Sequence, residues 1–113
     1  MKVLVIEDDR DLSTMIELGL VLEGHDVELA NDGPTGMAEA ASGRFDAIVV
    51  DLMLPGASGD EVVRATHRAL GPATPTIVLM SAARHAADLA AELGVRHLPK
   101  PFVMTDLAPL LGG

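Results

Sequence analysis

Polar residues stand where short apolar runs stop. The run Lys2–Ile6 (KVLVI) ends in Glu7-Asp8-Asp9, Ala47–Val50 ends in Asp51, Thr76–Met80 ends in Ser81, and Val95–Pro99 ends in Lys100. If Asp8, Asp9 and Asp51 converge, their like charges either raise a pKa or recruit a cation. An all-oxygen ligand set with open positions favours Mg²⁺, which keeps several waters and takes one or two carboxylates plus a phosphate oxygen. Asp51 is then a candidate nucleophile towards phosphorus, because a carboxylate can form an acyl phosphate. Lys100 and the cation would neutralise the transferring phosphoryl oxygens, and the Ser81 hydroxyl would donate to one of them. Taken alone, an aspartate such as Asp51 could equally cap the turn made by Pro55 and Gly56. The set of five is far more specific than any member.

Convergence depends on the elements between these residues. Strand 1 is Lys2–Ile6, and Asp11 or Ser13 is placed to cap the helix that follows. That helix carries Leu12, Met15, Ile16, Leu20 and Val21 mostly at three- and four-residue spacings, and Glu23-Gly24-His25 ends it. Asp26–Ala30 reads as strand 2 and Asn31-Asp32-Gly33 as a turn. Helix 2 runs from Pro34 to about Ser42, closed by Gly43. Strand 3, Ala47–Val50, is apolar and mostly β-branched, as a strand buried on both faces should be. Helix 3 spans Asp60–Leu70, with Val62, Val63, Ala69 and Leu70 available to the sheet. Strand 4 is Thr76–Met80, an Ala-rich helix 4 covers about His85–Leu93 with Gly94 as its cap, and Val95–Pro99 contains strand 5. Thr105 or Asp106 begins a short last helix that Pro109 would distort outside its first turn.

Strands alternating with helices predict an α/β fold, a parallel sheet covered on both faces. In the doubly wound order 2-1-3-4-5, strands 1 and 3 are neighbours at the switch point, and all four strand ends lie on one edge.

Composition narrows the function classes. The chain has 113 residues, 49% of them hydrophobic, which suits one compact domain over residues 1–113. It has no cysteine, so disulfides and Cys-based zinc sites are excluded. A formal net charge of −9 and only two aromatic residues, Phe45 and Phe102, argue against direct nucleic-acid binding. No stretch approaches the ~20 apolar residues of a membrane span, and the N-terminus does not read as a signal peptide. A cytoplasmic chain without membrane insertion is expected.

On Glu7–Asp9, the Asp51 strand with LMLPGASG, Ser81-Ala82 and Lys100-Pro101-Phe102, the sequence resembles the receiver domains of two-component response regulators, in particular the chemotaxis-regulator type. The resemblance covers essentially the whole chain and implies a flavodoxin-like (βα)5 fold. It implies that Asp51 is the phosphoacceptor, taking a phosphoryl group from a sensor histidine kinase or phosphotransfer protein with Mg²⁺ as cofactor. Asp8 and Asp9 resemble the acidic pair, with Asp9 the direct Mg²⁺ ligand and Asp8 acting through water. The main-chain carbonyl of Met53 would complete the metal shell. Ser81 resembles the switch hydroxyl and Lys100 the lysine that contacts the phosphoryl group. Such a domain is not a conventional enzyme: it catalyses its own phosphorylation and dephosphorylation, then switches a protein-binding surface made by helix 4, strand 5 and helix 5. A downstream effector protein is therefore the implied partner, and a homodimer through the same face is common in the family.

Two features depart from the pattern. His97 stands where the family usually has Phe or Tyr, and it could make the same rotamer change while adding pH dependence. The interval from Ser81 to Lys100 is also short, which trims helix 4 or the loop before it. Met53 and Ala83 offer no side-chain hydrogen bond to a water attacking the phosphoryl group, so slow autodephosphorylation is expected. His25, His67 and His85 have no paired ligand spacing and read as surface residues; Met15 and Met37 read as core filler.

Competing readings are weaker. An aspartyl phosphatase of the haloacid-dehalogenase type would want a second Asp where Met53 stands. A flavin binder would want a Ser/Thr/Gly-rich loop where Glu7-Asp8-Asp9 stands. A receiver-like interaction module working without phosphorylation, or the excised receiver of a larger regulator, are the nearer alternatives.

Overall fold

The computed structural model describes residues 1–112. Five strands, β1 (Lys2–Ile6), β2 (Asp26–Ala30), β3 (Ala47–Asp51), β4 (Thr76–Ser81) and β5 (Arg96–Pro99), form one parallel sheet in the order β2-β1-β3-β4-β5. The helices between and after them are α1 (Arg10–Leu22), α2 (Gly33–Ala40), α3 (Gly59–Leu70), α4 (Ala86–Leu93) and α5 (Met104–Leu111). Among the described residues, no helix is long and apolar enough to cross a membrane.

Strand periodicity divides the core in two. Leu4, Ile6, Ile48, Val50, Ile77 and Leu79 pack under Ala40, Val62, Val63, Ala86 and Ala90 of α2, α3 and α4. Val3, Val5, Ala47, Val49, Val78 and Met80 pack under Ile16, Leu20, Leu107 and Leu111 of α1 and α5. Both faces of the central strands are therefore dry, which is why β1, β3 and β4 read as continuous apolar runs.

The largest differences from expectation lie at helix ends and on helix faces. The residue capping α1 is Asp9, whose carboxylate accepts from Leu12 N–H at 3.1 Å, not Asp11 or Ser13. Ser13 instead lies buried against the sheet, and Met15 and Val21 face outward with Leu18 and Leu22. Met15 is thus surface, not core. On α3 the buried positions are Val62, Val63 and Thr66, while Ala69 is exposed. Thr66 is tolerated there because its hydroxyl donates to the Val62 carbonyl at 2.8 Å.

α5 begins at Met104, and Asp106 reaches back to accept from Val103 N–H at 3.0 Å. Pro109 lies beyond the first turn and deprives the Thr105 carbonyl of its helical donor. Arg96 compensates at the far end, donating to the carbonyls of Leu110 and Gly112 at 2.6 Å each. Gly94 ends α4 in the left-handed conformation (φ 70°), as its position predicts.

Candidate functional site

The site forms where strands β1, β3, β4 and β5 end. In the pairing of β1 with β3, Ile6 lies opposite Val50, so the next residues on the two neighbouring strands are Glu7 and Asp51. Both are buried, 1% and 5% exposed respectively. Asp8, one step further out, is exposed, and the carboxylates of Glu7, Asp8 and Asp51 each offer an oxygen within 4.8 Å of the others. Two half-buried or buried polar groups come from the other strands. Lys100 follows β5, and its Nζ lies 2.7 Å from Glu7 Oε1 and 3.3 Å from Asp51 Oδ1. Ser81 ends β4, 2% exposed, and its Oγ accepts from Ala83 N–H at 2.9 Å, which leaves the hydroxyl proton to be donated elsewhere.

The backbone holds these ends in register. Lys100 N–H donates to the Ser81 carbonyl at 3.0 Å, and Leu52 N–H to the Met80 carbonyl at 2.9 Å. Gly59 opens α3 directly behind Asp51: a Cβ there would overlap the Asp51 carbonyl and fall 2.8 Å from Leu52 Cα. Only glycine lets α3 begin so close to the strand end. The Lys100–Pro101 peptide bond is cis. A cavity of about 470 Å³ opens beside the carboxylates, lined by Leu12, Met15, Ala82, Lys100, Phe102 and Asp9.

The electrostatics follow from burial. Desolvation pushes the Glu7 carboxyl above its ordinary value, helped by the neighbouring Asp51 charge and opposed by the hydrogen bond from Lys100. For Lys100 burial acts to lower the pKa, but the hydrogen bond to Glu7 and the charge of Asp51 outweigh it and hold the ammonium above its usual range. One ammonium facing three carboxylates leaves net negative charge on hard oxygen donors, a donor set that fits Mg²⁺.

The acidic group differs from the expected one by a single residue. Asp9, the expected direct metal ligand, has its carboxylate engaged by the N-terminus of α1 and lies outside the cluster. Glu7 takes the second acidic place instead. Counting from the last apolar residue of each strand would have found it, since Glu7 follows Ile6 as Asp51 follows Val50. Met53 lies two residues past Asp51 with its side chain in solvent, 72% exposed. His97 lies on β5, half-buried, and its Nε2 is buried with no hydrogen-bond partner among the described residues.

Residues 3–111 match the sequence model of the response regulator receiver domain. The chain belongs to that family. Response regulator MprA of Mycobacterium avium (strain 104) is 38% identical over 110 residues, covering 95% of this chain and 47% of that protein. Response regulator ArlR of Staphylococcus saprophyticus is 35% identical over 109 residues, 94% of this chain and 48% of its own length. This receiver chain thus spans about half the length of the curated relatives it matches. Among solved structures, chemotaxis protein CheY4 of Vibrio cholerae superimposes with a TM-score of 0.85 at 28% identity, covering 97% of this chain and 94% of CheY4. The receiver domain of sensor histidine kinase PA1611 from Pseudomonas aeruginosa, with a magnesium ion coordinated in its active-site cleft, gives 0.86 at 27% identity over 97% and 93% of the two chains. The flavodoxin-like order read from the sequence is the order observed.

Proposed function

We propose that this receiver accepts a phosphoryl group on Asp51 in a Mg²⁺-dependent reaction and thereby switches a protein-binding surface. The observation that carries the reading is the position of Lys100 Nζ, within 3.3 Å of Asp51 Oδ1 and bonded to Glu7, beside a group of three carboxylates. Asp8, Asp51 and the main-chain carbonyl of Met53 would hold the cation, with Glu7 behind them on Lys100. Bound there, Mg²⁺ would supply neutralisation of the charge developing on the phosphoryl oxygens.

The chain's own groups have separate tasks. An Asp51 carboxylate oxygen attacks phosphorus, the bond from phosphorus to the donor's leaving group breaks, and an acyl phosphate results. Lys100 orients Asp51 beforehand and faces the transferred group afterwards. Ser81 donates its free hydroxyl proton to a phosphoryl oxygen, and that pull, with a turn of His97, biases α4, β5 and α5 towards a second arrangement. The donor would be a sensor histidine kinase or phosphotransfer protein, the recipient of the signal an effector protein, and the compartment the cytoplasm. Nothing in this scheme turns over an external substrate as a conventional enzyme would. The match to only about half of MprA favours one second reading, output through a region joined to the receiver in the same polypeptide.

Intact mass after incubation with Mg²⁺ and acetyl phosphate tests the reading. Wild type gains one phosphoryl adduct, dependent on Mg²⁺, and Asp51→Asn gains none. An adduct that persists in the variant would place the acceptor elsewhere. A wild type that binds Mg²⁺ without forming an adduct would leave an interaction module that works unphosphorylated.

A further inference from the structure

The segment between Asp51 and α3 carries the Met53 carbonyl, yet it has little structure of its own. Among the described residues, one hydrogen bond reaches positions 53–57: Gly33 N–H, at the start of α2, donates to the Pro55 carbonyl at 2.9 Å. The fit around that bond is close. A Cβ on Gly33 would overlap the Ala57 carbonyl and fall 2.7 Å from both Ala57 C and Cβ. Gly33 is buried and its φ is not positive, so space and not backbone conformation demands glycine there. Gly56 (φ 82°) lies against the next residue of α2, and a Cβ on it would come 2.8 Å from Pro34 Cδ. Asp32 fixes this end of α2 by accepting from Thr35 N–H at 2.7 Å and Thr35 Oγ1 at 3.0 Å.

We infer that the N-terminus of α2, Asp32-Gly33-Pro34, is a latch that positions the 52–58 loop for metal binding, with Gly33 its central positioning residue. The inference rests on the proposed Mg²⁺ site for its consequence. The Asp51 end of the loop is already pinned by the Leu52 and Gly59 main-chain bonds, so the part left to the latch is the stretch after Leu52. Loosening it disperses the Met53 carbonyl while leaving Asp8, Asp51 and Lys100 in place. Residues that orient metal ligands from behind cost about 10–100-fold in affinity when removed.

The test compares wild type, Gly33→Ala, Asp32→Ala and Asp32→Asn. Two readouts are used: hydrogen-exchange protection of the residue 33 amide, the donor to the Pro55 carbonyl, without metal, and Mg²⁺ affinity by calorimetry. Gly33→Ala and Asp32→Ala are expected to exchange faster at this amide and to bind Mg²⁺ about 10-fold more weakly. Asp32→Asn, which keeps a capping oxygen but not the charge, stays near wild type in both. Folding is followed by circular dichroism, and if Gly33→Ala does not fold, Asp32→Ala carries the comparison. Folded variants with unchanged exchange at residue 33 and unchanged Mg²⁺ affinity would overturn the latch, as would equal losses in Asp32→Asn. A wild type without Mg²⁺ affinity would overturn the metal site instead, and exchange at residue 33 would still report on the latch.

Discussion

Glu7 and Lys100 show how single residues set the character of the site. A carboxylate that is 1% exposed would be expensive alone, and the hydrogen bond from Lys100 offsets part of that cost. Burial and Asp51 win, so the carboxyl is held above 4.5, its ordinary value. Between that value and its raised folded value, the folded chain binds more protons than the unfolded one, so stability falls as pH rises through the window. Lys100, raised above 10.5, contributes stability that is present below that value and is lost only as pH rises through its folded one. Metal-free wild type should therefore lose stability relative to Glu7→Gln as pH rises above 4.5, measured as the difference in urea midpoints. A difference that stays constant over this range would contradict the raised carboxyl.

At the scale of elements, helix N-termini do much of the arranging. Asp8 and Asp9 are neighbours with different duties because α1 begins at Arg10 and takes Asp9 as its cap. Asp9→Ala should cost about 1 kcal/mol of stability by denaturant unfolding while largely sparing Mg²⁺ affinity. Asp8→Ala should do the reverse, weakening Mg²⁺ binding with little change in stability. The opposite pattern would return Asp9 to the metal site. Three consecutive acids carry no mark of where the helix starts, so the exchange of these roles is legible in Glu7-Asp8-Asp9 only by counting from Ile6 as Asp51 is counted from Val50. The strands themselves were legible: Lys2–Ile6 and Asp26–Ala30 appear with the bounds their residues suggest, and β3 and β4 extend one residue further, onto Asp51 and Ser81.

For the whole molecule, the sheet joins the acidic edge to the surface of α4, β5 and α5. Leu79 pairs with His97 and Ser81 with Pro99, so the proposed pull on Ser81 would pass along the β4–β5 ladder. His97, with its Nε2 buried and unpartnered among the described residues, is the polar group on that surface with most to gain from a second arrangement. Phosphorylation by acetyl phosphate should alter amide exchange in α4, β5 and α5 while leaving β1 and β2 unchanged, and Ser81→Ala should reduce the response. A change confined to residues around Asp51 would indicate that the signal does not leave the site.

By itself the sequence determined the order of elements, the two dry faces of the sheet, and the placing of Asp51, Ser81 and Lys100 at strand ends. These follow from local chemistry: β-branched runs, glycine and proline at turns, and polar residues at the last position of a strand. Tertiary structure decided what depends on distance across the sheet. It set Glu7 opposite Asp51, and drew Lys100 onto Asp51 and, across 93 residues of chain, onto Glu7. It also turned Met15 outward and laid α2 against the loop beyond Asp51. Pairing register and helix docking are properties of segments far apart in the chain, and no single stretch of residues specifies them.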